Sequence, residues 1–186
     1  MLFSEDELIE GCIRGDRTQQ RRLYELFSKR MFVVCLRYAK SRLEAEDVLQ
    51  ESFIKVFEKI KDFRRDCPLE GWIKRIVINT ALNQNRSKLY MFPAVDIDDI
   101  HEAEDTHSSL SDLSFQELLE MVQQLAPRYQ VIFNLYAIEG YQHNEIGTML
   151  GISEGTSKSQ YARARAILRQ MIEDKQQIKY ERFRKE

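Results

Sequence analysis

Apolar residues recur every three or four positions along most of the chain, which is the spacing of one face of an α-helix. The clearest series joins Leu23, Phe27, Met31, Val34 and Tyr38 in one long amphipathic pattern. Signals for β-hairpins are missing, because the sequence has no Asn-Gly or Asp-Gly step and only 7 glycines and 3 prolines. The pattern therefore predicts an all-α fold.

Polar capping residues mark where two of the helices begin. Ser4 is followed three residues later by Glu7, and Ser41 by Glu44, so each pair has the spacing of a capping box. The helix after Ser41 starts acidic and ends basic, the order that the helix dipole favours. These signals predict helix starts at Ser4 and Ser41, with the first helix ending before Gly15.

The helical pattern breaks in the stretch FRRDCPLEG at residues 63–71, which contains Pro68 and Gly71. A further helix is predicted from Trp72 to about Arg86. Its predicted inward face consists of Trp72, Ile73, Ile76, Val77, Thr80 and Ala81.

A second stripe on this helix is polar. Asn79, Asn83 and Arg86 are separated by four and three residues, so they share a face that is turned away from the apolar positions. Asparagine is unfavourable inside a helix because its side chain competes for backbone hydrogen bonds. Capping explains Asn85, near the helix end, but it does not explain a stripe.

Charge is distributed unevenly, although the formal net charge is only −2. Residues 55–88 hold nine Lys or Arg against four Asp or Glu, whereas residues 96–120 hold nine Asp or Glu and no Lys or Arg. A polyanion such as DNA meets favourable charge only on the first stretch. Residues 91–112, which include most of this acidic stretch, lose helical periodicity and contain Pro93, which predicts a linker. The predicted organisation is a first domain at 1–90, an acidic linker at 91–112, a second domain at 113–175 and a charged tail at 176–186.

Two helical patterns in the second domain are joined by a tight corner. The first ends at Gly151, Ile152 lies in the corner, and Ser153 provides an N-cap for the second. Two helices joined by about three residues that include glycine are the signature of a helix-turn-helix motif, whose second helix enters the major groove of DNA. A solvated basic face on a surface helix is the simpler alternative. The second helix is expected to turn inward Ser157, Tyr161, Ala164 and Leu168.

Nothing in the sequence indicates catalysis, a cofactor or a metal site. Cys12, Cys35 and Cys67 form no C-x-x-C pair, the three histidines are scattered, and no nucleophile–base pair or glycine-rich phosphate loop is present. Cys35, within MFVVCLRY, is expected to be core. No apolar run reaches 18 residues, and the N-terminal stretch lacks the order of a signal peptide. These features predict a cytoplasmic protein that is not an enzyme and has no small-molecule substrate.

Long stretches in both domains match one family. AEDVLQESFIKVFEKI and FRRDCPLEGWIKRIVINTALNQNR are similar to its region 2, and LAPRYQVIFNLYAIEGYQHNEIGTMLGISEGTSKSQYARARAIL is similar to its region 4. The chain resembles bacterial RNA polymerase sigma factors of the extracytoplasmic function (ECF) group, in the sigma-70 family. Both halves occur in the family's order, with a short linker in place of region 3. The resemblance implies two small helical domains and a function in promoter-specific transcription initiation.

The resemblance implies that region 4 contacts the β flap of core RNA polymerase while its second helix binds the −35 promoter element. Arg, Lys and Gln side chains suit this, because they can bond base edges in the major groove. Ser157 stands where many relatives carry a β-branched apolar residue, which predicts slightly loose packing of this helix. The implied base contacts are Lys158, Ser159, Ala162 and Arg163, and the implied phosphate or flanking contacts are Thr156, Gln160 and Arg165.

The resemblance also implies that region 2 recognises and melts the −10 promoter element. FRRDCPLEG corresponds to the family's specificity loop, which receives a base flipped out of the −10 element. Arg65 replaces a common glycine and Pro68 stiffens the loop, so the preferred base stays open. Asn79 and Asn83 match positions that face the melted strand. The full set implied at −10 is Phe63, Arg64, Arg65, Asp66, Trp72, Lys74, Arg75, Asn79, Asn83 and Arg86.

Protein partners are implied as well. The helix that begins after Ser41 is implied to dock on the β′ clamp of the polymerase through Glu46, Asp47, Gln50, Glu51 and Lys55. The acidic linker is implied to thread toward the active-site cleft and RNA exit path, with a flexible solubilising linker as an equal alternative. Such factors are usually held by an anti-sigma factor, often a membrane-bound one.

Other interpretations stay open at this point. A helix-turn-helix regulator that acts without core polymerase explains the second domain but leaves the region 2 stretch unexplained. A protein-interaction adaptor explains the apolar helices but leaves the donor-rich helix unexplained. An enzyme with an unrecognised helical site is a third alternative.

Overall fold

The computed structural model describes residues 4–90 and 115–183, and every regular element in these ranges is helical. Side chains are described there except at 85–90, 115 and 178–183. The predicted all-α fold is confirmed, whereas the acidic linker at 91–112 lies outside the described residues. The helices are α1 (Glu5–Ile13), α2 (Arg17–Tyr38), α3 (Arg42–Lys59), α4 (Leu69–Tyr90), α5 (Phe115–Gln124), α6 (Pro127–Phe133), α7 (His143–Leu150) and α8 (Glu154–Phe183).

The chain divides into two compact units, Met1–Arg86 and Ser87–Glu186. In the first unit, the hydroxyl of Ser4 accepts the backbone N–H of Glu7 at 3.3 Å, and the hydroxyl of Ser41 accepts that of Glu44 at 3.1 Å. The Glu44 carboxylate accepts from the backbone N–H of Lys40 at 2.7 Å, one residue before the cap. Both predicted helix starts are confirmed.

The core of the first unit is built from the apolar faces of α2, α3 and α4. All five residues of the α2 series are buried, and the rings of Tyr24 on α2 and Phe53 on α3 meet edge to face at 4.7 Å. On α4 the predicted inward residues are buried except Trp72 and Ile76, which are half-buried. The predicted core position of Cys35 is confirmed, and burial raises the pKa of its thiol to about 12, so the thiol stays protonated and unreactive.

The second unit contains the predicted helix-turn-helix corner. Gly151 ends α7 with a φ of 69°, a left-handed conformation that glycine adopts without a Cβ clash. The hydroxyl of Ser153 then accepts the backbone N–H of Thr156 at 3.0 Å and caps α8. Before this corner, α6 begins with Pro127 in its first turn, and the helical backbone continues through Asn134–Ile138 as a π-helix. Helical backbone continues past residue 175, where the predicted second domain ends, as far as Phe183.

Ser157 holds α8 against α7 through a hydrogen bond. It is fully buried, and its hydroxyl lies 2.9 Å from Nδ1 of His143, whose ring stacks on Tyr136 at 4.1 Å. The prediction of loose packing at Ser157 is wrong, because this bond takes the place of a β-branched side chain. Burial, and then the charge of Lys158, lower the pKa of His143, so the imidazole is neutral at pH 7.

Gly147, in the middle of α7, is expected to tolerate no side chain. A Cβ there would lie 2.8 Å from the backbone oxygen of Ile152, which cannot rotate away as a side chain can. Gly147→Ala should therefore destabilise the second unit by about 2 kcal/mol, the cost of overpacking. Hydrogen exchange at the amides of α7 and α8 measures this loss. Gly155→Ala is the matched control, since the nearest atom to its Cβ is a side-chain oxygen at 3.8 Å; equal protection in both variants would contradict the prediction.

Candidate nucleic-acid interface

The exposed side of α8 carries the residues predicted to bind DNA. Lys158, Ser159, Ala162, Arg163 and Arg165 are all exposed, which their assignment as contacts requires. On a helix, spacings of four and three place them on two adjacent stripes. This side of α8 therefore presents a compact group of cationic and polar side chains.

Local bonds orient part of this group. The hydroxyl of Thr156, which is half-buried with Gln160, lies 2.8 Å from that of Ser153, and the hydroxyl of Ser159 donates to the backbone oxygen of Thr156 at 3.1 Å. Lys158 pairs with Glu154, one turn earlier, at 2.7 Å. Hydrogen bonding to Glu154 raises the pKa of Lys158, so the ammonium stays charged but is shared with a carboxylate. Arg163 has the more open position on this side.

A second exposed surface lies along α4 in the first unit. Arg75, Asn79 and Asn83 are exposed and follow one another by four residues, so they lie on one stripe. The predicted orientation of the two asparagines, away from the buried Val77 and Thr80, is confirmed. Lys74 and Trp72 are half-buried beside this stripe, and the side chain of Arg86 lies outside the described residues.

The loop before α4 is shorter than predicted, because α4 already begins at Leu69. The backbone oxygen of Pro68 accepts the N–H of Trp72 at 3.2 Å and starts the helix. At the other end of the loop, Phe63 is buried, and its ring lies 5.2 Å from that of Trp72. Phe63, one of the residues implied at −10, thus packs its ring against Trp72 and anchors the loop in this structure.

Arg64 and Asp66 are exposed in this loop, whereas the side chain of Arg65 between them forms ion pairs within the protein. Its guanidinium forms ion pairs with two carboxylates of α1, Asp6 at 3.1 Å and Glu10 at 2.8 Å. Its φ is 61°, in the left-handed region. Glycine would adopt this conformation without strain, whereas Arg65 is held in it while its side chain is paired with α1.

The residues predicted to bind polymerase divide into two groups on α3. Asp47 and Gln50 are exposed, whereas Glu51 and Lys55 pair with each other at the edge facing α4. There the Glu51 carboxylate also accepts from the amide of Gln84 at 2.6 Å, and these bonds lower the pKa of Glu51. Glu51 and Lys55 are thus turned toward α4 and away from the outward stripe.

Two apolar residues on the outward stripe of α3 had not been predicted as contacts. Leu43 is 73% exposed and Ile54 is 60% exposed, and helical spacing places both beside Asp47 and Gln50. In the sequence, Leu43 and Ile54 fall between the positions of the inward-facing apolar pattern and do not stand out. Only their position on the same helical face as Asp47 and Gln50 identifies them as part of a contact surface. The fifth predicted residue, Glu46, is half-buried and pairs with Arg42 at 3.0 Å.

Comparison with known proteins shows which family has this arrangement. The model of sigma-70 region 2 matches residues 23–89, and that of sigma-70 region 4 matches residues 115–168. The chain belongs to the sigma-70 family. The two matches coincide with the α2–α4 surface and with the helix-turn-helix, and they make the chain a sigma initiation factor.

Proteins that are similar along nearly the whole length of this chain support its assignment to the sigma factors. ECF RNA polymerase sigma factor SigM of Mycobacterium tuberculosis is 26% identical over 170 residues, which cover 91% of this chain and 85% of SigM. The sigma-H factor of Pseudomonas aeruginosa is 28% identical over 177 residues, covering 88% and 91%. This sigma factor falls in the ECF group.

Solved structures share the fold. RpoE of Bartonella quintana, in complex with the anti-sigma factor NepR, is similar with a TM-score of 0.54 at 20% identity, covering 82% of this chain and 96% of RpoE. CnrH, in complex with the cytosolic domain of CnrY, has a TM-score of 0.50 at 18% identity, covering 90% and 96%. Among the residues described for this sigma factor, no helix is long and apolar enough to cross a bilayer, and no group of acidic, His or Cys side chains is placed to hold a metal.

Proposed function

We propose that this sigma factor binds core RNA polymerase, directs it to promoters through α8, and opens the −10 element through α4 and the specificity loop. The observation that carries the proposal is that one chain presents three exposed surfaces of different chemistry. They are the cationic side of α8, the Arg75–Asn79–Asn83 stripe and the mixed apolar and polar stripe of α3.

The side of α8 suits duplex DNA. Arg163 and Lys158 supply donors that fit guanine edges, and Gln160 suits adenine. Ser153 and Gly151 fix the start and angle of the helix, so these side chains project from a rigid frame. The hydroxyl of Thr156 and the guanidinium of Arg165 are proposed to contact phosphates or flanking bases. The β flap of the polymerase is proposed to hold this unit.

The chemistry of the α4 stripe is suited to binding the unpaired bases of melted DNA. An amide both donates and accepts, so Asn79 and Asn83 can pair with exposed base edges of the melted non-template strand. Unstacking a base costs a few kcal/mol, and these contacts, with phosphate binding by Arg75 and Arg64, offset that cost. Because the phosphate contacts release counterions, promoter binding is expected to weaken steeply with salt.

The outward stripe of α3 is proposed to dock on the β′ clamp. Asp47 and Gln50 supply polar contacts, and Leu43 and Ile54 supply apolar area at either end.

Ile54→Ser is expected to lower affinity for core polymerase about tenfold, because burial of an exposed isoleucine contributes about 1.5 kcal/mol. Fluorescence anisotropy of labelled chain titrated with core polymerase measures this affinity. Ile13→Ser is the matched control, since Ile13 is 42% exposed but lies at the end of α1. Equal losses in both variants would place the docking face elsewhere.

No catalytic step is assigned to this chain, and we propose that it acts in the cytoplasm, where core polymerase and DNA are present. An anti-sigma factor is the proposed regulatory partner, supported by the sigma factor RpoE of the same fold, whose structure contains the anti-sigma factor NepR. No cofactor or small-molecule substrate enters the proposal.

Reconstitution with bacterial core polymerase tests the proposal against its alternatives. Promoter-dependent runoff transcripts are expected from a library of randomised promoters. DNA binding without core binding would instead indicate a regulator that acts alone. Core binding without transcripts would indicate an adaptor.

A further inference from the structure

Arg65 combines a strained backbone with a doubly paired side chain. Among the described residues, it is the non-glycine residue with a positive φ, 61°. A Cβ in this region approaches the following backbone, so residues other than glycine adopt it at a cost. A strained conformation persists only when the surroundings enforce it.

The surroundings here are two carboxylates from a distant part of the chain. Asp6 and Glu10 are separated by one turn of α1, so both lie on the face that meets the loop, and Arg65 directs one guanidinium nitrogen to each. The side chains are 71%, 51% and 45% exposed for Asp6, Glu10 and Arg65. A single exposed pair contributes little, but two carboxylates on one planar guanidinium also fix its direction.

The loop is thus held at three points. Phe63 anchors its start through Trp72, the Pro68 carbonyl anchors its end, and Arg65 ties its middle to α1. Arg64 and Asp66, the exposed residues beside Arg65, project from this held backbone. Their positions therefore depend on the bonds that Arg65 makes.

We propose that Asp6, Glu10 and Arg65 form a clamp that positions the specificity loop and thereby sets its discrimination among bases of the −10 element. The inference rests on the proposed function of the loop. Arg65 is a positioning residue: its charge is already balanced by carboxylates, and a DNA phosphate near it would meet the repulsion of Asp6 and Glu10. The helix α1 thus contributes to promoter specificity without touching DNA.

The test compares transcription from four promoters that differ only at the base received by the loop. The clamp variant is Asp6→Asn/Glu10→Gln, and the matched control is Glu5→Gln/Glu7→Gln, which removes two charges from the same helix at exposed positions that do not pair with Arg65. The ratio between the best and worst base is expected to fall about threefold to tenfold in the clamp variant, the size expected from two exposed ion pairs. It is expected to stay unchanged in the control.

Two outcomes would overturn the clamp. An unchanged base ratio in Asp6→Asn/Glu10→Gln would show that the loop is held without it. Tighter promoter binding with a steeper salt dependence would show that Arg65, once released, is a phosphate contact. A wild-type chain that yields no transcripts from any promoter would count against the proposed function instead, so the two failures are distinguishable.

A charge-swapped chain separates positioning from general damage. Asp6→Lys/Glu10→Lys/Arg65→Glu rebuilds the ion pairs with reversed signs and is expected to recover most of the lost base ratio relative to Arg65→Glu alone. Both chains carry the same residue at position 65, so backbone strain there is matched. Equal base ratios in the two chains would contradict the clamp.

Discussion

Replacing Asn79 and Asn83 together with alanine is expected to reduce the rate of promoter opening about 100-fold, because the two amide contacts to melted bases that we propose would contribute about 3 kcal/mol in total. Both side chains are exposed on one stripe of α4, and neither supports the core, so the fold should be unaffected. Permanganate reactivity of unpaired thymines in the −10 element, followed in time, measures opening.

The matched control is Gln176→Ala/Gln177→Ala, which removes two exposed amides from the far part of α8. It should open promoters at the wild-type rate. Affinity for core polymerase should be equal in all three chains. If the asparagine variant opened promoters normally, the α4 stripe would not face the melted strand, and the region 2 surface would need reassignment.

Arg163→Ala is expected to weaken binding to the −35 element about 30-fold, equivalent to about 2 kcal/mol, because it removes the bidentate base contact that we propose for its guanidinium. Arg163 is exposed on α8 and lies one turn after Ser159, on the side that also carries Lys158 and Arg165. Binding of holoenzyme to a duplex that contains only the −35 element measures the loss.

Arg169→Ala provides the comparison for Arg163, because it removes the same charge from the same helix on a different face. Its effect should be small, and neither variant should change affinity for core polymerase. A loss of core affinity in Arg163→Ala equal to its loss of DNA affinity would mean that this side of α8 faces the polymerase.

Local features of the chain could be predicted from the sequence because their causes lie within a few residues. Ser4, Ser41 and Ser153 cap helices by bonding backbone groups three residues on, and Gly151 ends α7 through its own backbone freedom. The polar stripe on α4 follows from helical spacing alone. Each of these features is visible within about two and a half turns of helix.

Features that depend on distant residues were missed. Arg65 meets Asp6 and Glu10 across more than fifty positions, and Glu51 meets Gln84 across thirty-three. Helical periodicity says which residues share a face but not which other helix covers it, so Glu51 and Lys55 appeared equivalent to Asp47 and Gln50. The hydrogen bond between Ser157 and His143 could not be predicted either, because the two residues lie on different helices.

Runoff transcription by core polymerase reconstituted with this chain tests the central claim most directly, using one selected promoter and two derivatives in which either the −35 or the −10 element is scrambled. Because α8 and α4 are assigned to different elements, transcripts should appear from the intact promoter and be lost when either element is scrambled. Arg163→Ala should then depress only transcription that depends on an intact −35 element. Equal transcription from the intact and scrambled promoters, or none from any, would contradict the assignment of the two units to two promoter elements.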